Sequence, residues 1–247
     1  DLPKDTLAQN VEFPLKDLGM EVLCESILIT NSNIFYQNGN IVKGKYFDPN
    51  DINLQNLNLA INNLHVDENK AQLEVEKVSV NLNNEFDLQE LKFILTFDEK
   101  IAGIKGLELL TARSKGKADV TIDYTSFAQL VNLEKIENIN LLVDSLNLSL
   151  PEMTYFLPMI DTMSSIAHLK NETFYLDGLL EGNLEKISVD HLSANIGRNQ
   201  VDLKGDVLHV MNMDLLALNN FDFKATTHIS EVKPFLPKGT LKPSANQ

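Results

Sequence analysis

Tryptophan is absent from this chain, and cysteine occurs once. The lone Cys24 cannot close an internal disulfide, and it lacks the companions that a cysteine metal site needs. Basic residues are outnumbered, 21 against 35 acidic, for a net charge of −14. A nucleic-acid binder needs a basic footprint, and none is visible as a run or a face. Anionic membrane surfaces would repel the chain as a whole, so the acidity reads as solubility. No stretch reaches the roughly 18 consecutive apolar residues of a spanning helix. The first ten residues, DLPKDTLAQN, have neither a basic n-region nor an apolar h-region, so they do not read as a signal peptide. The polar segment KGTLKPSANQ reads as a tail or linker, and both ends read as cut, so a piece of a longer protein is expected.

Chemistry-bearing motifs are also missing. There is no Gly-x-Ser-x-Gly elbow, no Walker loop and no dinucleotide glycine fingerprint. The histidines, His65, His168, His191, His209 and His228, are too scattered to form a local metal motif. Carboxylates such as Asp87 and Glu90, or Asp119 and Asp123, fall at the polar positions of expected strands, where a solvated face explains them. An enzyme would need a convergent polar cluster, for example around Asp190 and His191. Neither catalysis nor a cofactor nor a metal is expected.

What the chain does have is alternation. Over residues 52–97 an apolar/polar run appears three times, and each time it slips by one residue. Leu54 is followed by Leu57, Leu59 and Ile61. Leu73 and Val75 are followed by Val78, Val80 and Leu82. Leu88 is followed by Leu91, Phe93, Leu95 and Phe97. Strict alternation marks a strand with one buried face, and a one-residue slip turns the apolar set to the other side. A bulge at Gln55-Asn56, Glu76-Lys77 and Gln89-Glu90 restores a common face. The same slip recurs in Ile139, Leu141 and Val143, then Leu146 and Leu148, and Asn219-Asn220 marks another in the last unit. Further strands are expected over residues 21–30, 41–46, 118–124, 174–180, 187–196, 201–210 and 215–225, the first two as a hairpin turned at Asn38-Gly39. Residues 126–133 read as one or two helical turns. Residues 152–170 read as the longest helix, broken or kinked near Pro158. Phe-Leu-Pro at 156–158 and again at 235–237 follows matching strand units, which points to an internal duplication.

Two architectures fit these patterns. One is a closed sandwich of two sheets, which periodicity alone favours. The other is a bent sheet with an open apolar face, favoured by the slips, the long strand units and the scarcity of aromatics.

The succession YFDPNDINLQNLNLAINNL, EFDLQELKFILTF and LELLTARSKG resembles the AsmA/TamB superfamily of diderm envelope proteins, especially TamB-like proteins of the Bacteroidetes type. The resemblance continues through MTYFLPMI and the strands up to Ala225, about three-quarters of the chain. It departs in lacking the family's amino-terminal anchor helix and in having less glycine. It implies a mainly β fold: an elongated, bent antiparallel sheet, folded like a taco, with a few short helices. It implies a periplasmic location, inner-membrane anchorage, a phospholipid ligand and an outer-membrane β-barrel partner of the assembly class. The implied activity is passive lipid transport between membranes or help in outer-membrane biogenesis. The residues expected to line such a groove are Leu54, Leu57, Leu59 and Ile61, then Leu73, Val75, Val78, Val80 and Leu82. Leu91, Phe93, Leu95 and Phe97 join them, with Leu141, Val143, Leu146 and Leu148. The expected division is N-terminal strands at 1–46, a first β-groove region at 47–150, a helix with a second β region at 151–237, and a tail at 238–247.

Overall fold

The computed structural model describes residues 14–16, 19–39, 44–131, 136–162, 169–210, 212 and 214–227. Eleven strands form one antiparallel sheet, each paired with its neighbours in sequence. They are β1 (Val22–Gln37), β2 (Asp51–Val66), β3 (Lys70–Leu82), β4 (Phe86–Asp98), β5 (Ile101–Thr111) and β6 (Lys115–Asp123). After α1 (Phe127–Val131) come β7 (Asn138–Ser149), α2 (Leu150–Phe156) and α3 (Met159–Thr162). The sheet then resumes with β8 (Thr173–Gly182), β9 (Lys186–Ile196), β10 (Asn199–Leu208) and β11 (Ala217–Thr226). At about 4.8 Å per strand spacing, the ten spacings make a sheet about 48 Å wide. It is not closed: among the described residues β1 and β11 each have one neighbour in the ladder.

The register explains how slipped sequences build a single surface. All ten strand pairings contain a register shift. In β2 the shift spans Gln55 to Asn58, in β3 Val75 to Val78, and in β4 Leu88 to Glu90. Those are the three expected bulges. Others fall between Ile104 and Leu107 in β5, between Val143 and Leu146 in β7, and opposite Lys204–Asp206 at Asn219–Asp222 in β11. Several bulged residues adopt positive φ: Asn31 at 44°, Asn56 at 54°, Gly106 at 61°, Ser145 at 59° and Asn220 at 47°. Asparagine and glycine tolerate this region far better than branched residues. The extra residues fall toward the middle of β1, β2, β3, β4, β5, β7, β9 and β11, opposite mid-strand positions of their neighbours, while β6, β8 and β10 carry none, and Asn63, φ 54°, marks a second irregularity in β2. The bulges therefore form a file across the sheet, and because each bends its own strand, the file is a crease.

Two departures from the sequence reading stand out. The sandwich that periodicity favours is not formed: the strands belong to one sheet, and among the described residues the strands contact chiefly their ladder neighbours. The hairpin expected over residues 21–46 with its turn at Asn38-Gly39 is not what β1 forms among the described residues: β1 continues to Gln37 and pairs with β2. Of the second hairpin strand, 41–43 lie outside the described residues and 44–46 are not strand. The break expected near Pro158 lies at Leu157-Pro158, between α2 and α3, and 163–168 lie outside the described residues. Proline lacks the N–H that a continuous helix would need there. The second Phe-Leu-Pro, at 235–237, also lies outside them. Ser149 of β7 pairs with Thr173 of β8, so strands of both expected β regions lie in one sheet.

Candidate functional site

One face of the sheet is apolar from edge to edge. Across β2 and β3, Leu54 pairs with Leu82, Leu59 with Val78 and Ile61 with Val75. Across β3 and β4, Leu73 pairs with Leu95, Val75 with Phe93, Val78 with Leu91 and Val80 with Leu88. Ala71 pairs with Phe97, and Ser32 of β1 faces Leu57. Farther along, Leu141 pairs with Val120 and Leu180, Val143 with Ala118 and Gly178, Leu146 with Leu176, and Leu148 with Phe174. Since side chains alternate across a strand and the bulges reset that alternation, the seventeen expected lining residues share one face.

That face is larger than the sequence reading drew it. Ile27 and Ile29 extend it onto β1 through pairs with Ile61 and Leu59. Ile104 and Leu109 fill β5 opposite Leu95 and Leu91. Val120 and Ile122 continue it on β6, and Leu192, Leu203 and Phe223 carry it to β11. The alternation in ADVTIDY and the slip after Ile104 were the signals for these additions.

Among the described residues, burial shows no second layer over most of this face. Among the seventeen, Leu57, Val75, Leu82 and Val143 are buried, and the other thirteen are only half-buried. Inward residues of a two-layer core are ordinarily sequestered from water. Here thirteen of the seventeen keep part of their surface exposed.

Helices sit at the two strand-end rims. At one rim α2 follows β7 directly. Phe156 stacks edge-on against Phe86, centroids 4.9 Å apart, and Phe47 packs on Tyr155 and Phe156. Phe47 donates its N–H to the Tyr155 carbonyl at 2.8 Å, and Asn83 donates to the Tyr155 hydroxyl at 3.2 Å. Glu152 anchors α2 to the β5–β6 turn by accepting from Thr111 Oγ1 at 2.6 Å, from Ser114 Oγ and from the Arg113 N–H at 3.1 Å. Asp161 of α3 accepts from Lys45, from Lys170 at 3.1 Å and from Tyr46 at 2.9 Å, and these bonds hold its carboxyl well below the usual carboxylate range. At the opposite rim Phe127 of α1 packs on Phe97 at 5.8 Å. Tyr124, 1% exposed, donates to the Asp98 carbonyl, and burial pushes its phenol up to about 12.

Charge is kept to the other face and the rims. Lys92 bridges Glu90 and Glu108, and Lys117 reaches Glu108 at 3.0 Å, making a row across β4, β5 and β6. The two lysines hold the Glu108 carboxyl below its ordinary value. Asp190 and His191 are exposed and engage Lys204 and Asp177. Glu21, His65 and Asp67 come together at a β-sheet corner with ligand atoms within 4.8 Å, a grouping the sequence did not reveal because 44 residues separate Glu21 from His65. His65 Nε2 lies between the two carboxylates, 3.0 Å from Glu21 and 3.2 Å from Asp67. A cleft of about 320 Å³ opens at the α2 rim between Lys45, Asn84, Arg113 and Glu152. It lies beside the apolar face rather than on it.

Among the described residues no helix is long and apolar enough to cross a membrane. No family model, curated protein or solved structure matches this chain.

Proposed function

We propose that this chain is a β-groove module that shields phospholipid acyl chains from water, serving lipid transport between the membranes of a diderm envelope or outer-membrane biogenesis. The observation that carries this reading is the half-buried apolar face continuous over all eleven strands. Each acyl CH₂ removed from water there gains about 0.8 kcal/mol, so even partial burial of a long chain is worth several kcal/mol without covalent chemistry. A face about 48 Å wide spans roughly three leaflet thicknesses of about 15 Å each, enough for more than one lipid. The periplasmic placement, the inner-membrane anchorage and the choice of phospholipid rest on the resemblance to AsmA/TamB proteins.

The test is direct. Phospholipid should co-purify with the protein and be identified by mass spectrometry. A photocrosslinker at Leu59, Val80 or Phe93 should label lipid, whereas one at Ile94, on the opposite face of β4, should not. Failure of both would end the lipid reading. A second reading, a non-catalytic scaffold that binds an outer-membrane β-barrel by strand pairing, is supported by the two open edges of the sheet. It expects no bound lipid and retention on an immobilised barrel partner.

A further inference from the structure

The first strand differs from the rest of the sheet on its outer side. Across β4, β5 and β6 that side carries the ion-paired row of Lys92, Glu108 and Lys117. On β1 it carries Leu23, Leu28 and Phe35, which are 67%, 69% and 65% exposed. The inner side of the same strand is open too, with Ile34 46% exposed. This edge runs for 16 residues, about 50 Å of backbone. It contains no lysine, arginine or proline, and Glu25 is its only charge. Sheet edges are ordinarily guarded by lysine, proline or shortness. The opposite edge, β11, is shorter at 10 residues and carries Asp222 and Lys224.

The free backbone groups of an edge accept an extended strand. Apolar side chains on both sides call for a strand that is itself apolar on both sides, and β1 meets that description. We propose that β1 pairs antiparallel with β1 of a second copy, about a two-fold axis normal to the sheet at Leu28. Leu28 then faces Leu28 of the second copy on the outer side. Ile27 faces Ile29 of that copy on the inner side, and Ser26 faces Thr30. Glu25 faces Asn31 rather than its own counterpart, so a chain of net charge −14 associates where no like charges meet. Rotation about a normal axis keeps both inner faces on the same side, which joins the two apolar surfaces into one. The pairing does not depend on whether that surface carries lipid.

Cysteine crosslinking of the full chain tests the register. In a Cys24→Ser background, Leu28→Cys places two thiols directly opposite, where antiparallel partners have Cα atoms about 4.5–5.5 Å apart and a disulfide closes readily. The expected result is a covalent dimer on mild oxidation, with none from Asp119→Cys. Light scattering of the unaltered chain should show a dimer. Leu28→Lys with Phe35→Lys should give a monomer with unchanged β circular dichroism, since both side chains are exposed. A chain that stays monomeric across a wide concentration series overturns the proposal. So does a dimer linked through Leu28→Cys and Phe223→Cys together but not through Leu28→Cys alone, which places β11 on this edge instead.

Discussion

Gly106 donates its backbone N–H to the carboxylate of Asp119, the single β6 residue opposite the β5 bulge. The arrangement recurs along the crease. Ser145 donates to Asp177 at 3.3 Å, Asn31 to Asn58 at 3.0 Å and Asn56 to Asn33 at 3.0 Å. In each case the bulged residue turns its N–H out of the ladder, and an Asp or Asn side chain on the neighbouring strand accepts it. Asp119→Ala leaves the Gly106 donor without that partner and should lower stability by about 1 kcal/mol in urea unfolding. Asp119→Asn keeps an acceptor oxygen and should recover most of the loss. Equal losses in the two variants would show that the carboxylate acts by charge and not as an acceptor.

Two glycines should respond to alanine for different reasons. At Gly106, with φ at 61°, nothing lies within 4 Å of an added Cβ, so only the backbone conformation is penalised, by about 1 kcal/mol. At Gly116 the new Cβ would lie 2.3 Å from Leu146 Cδ1 and 3.1 Å from Leu146 Cα. Leu146 must then move, at about 1–3 kcal/mol. Trimming Leu146 to alanine should relieve much of the second penalty and none of the first, which a double-mutant cycle in denaturant measures.

Adjacent residues of β4 report the two faces. Phe93 is half-buried among Val75 and its inner-face neighbours, while Ile94 is 40% exposed on the outer side. Phe93→Ala should cost about 2 kcal/mol, below the 3–5 kcal/mol of a fully enclosed phenylalanine. Ile94→Ala should fall within about 0.5 kcal/mol of the unaltered chain. Chemical denaturation of both variants checks the assignment of faces, and a reversed order would overturn it.

Tyr124 predicts an alkaline slope in stability. Its ordinary pKa of 10.0 is raised to about 12, by burial first and by Asp98 second. Between those values the unfolded chain gives up a proton that the folded chain keeps, so stability falls as pH rises from about 10 to about 12. Ultraviolet titration should show late tyrosine ionisation, to which Tyr155 also contributes because burial raises it, and Tyr124→Phe should remove one tyrosine's share of it. That variant should also lose this part of the alkaline slope.

Much of the surface was written in the spacing of apolar residues. The slips at 55–56, 76–77 and 89–90 mark real bulges because a polar residue must be inserted wherever the strand bends and its apolar set must return to one side. Asn31 was harder to read. Asparagine at positive φ serves both a turn and a bulge, and only the ladder formed with β2 distinguishes them. Whether the apolar face is covered could not be read at all. Leu59 and Val78 look the same in sequence whether or not a second layer meets them, because coverage depends on distant segments. The α2 rim was likewise hidden: Glu152 gains its partners from the β5–β6 turn, about forty residues upstream.

The meander contains an odd number of strands, eleven. Strand direction reverses at every step, so the first and last strands point the same way. If the sheet curled until its margins met, the seam would be parallel, unlike every other pairing in it. An all-antiparallel barrel is therefore unreachable for this strand count without adding or losing one strand. Among the described residues the margins β1 and β11 are therefore like-directed, and a strand that extended the antiparallel ladder at either margin would have to run the other way.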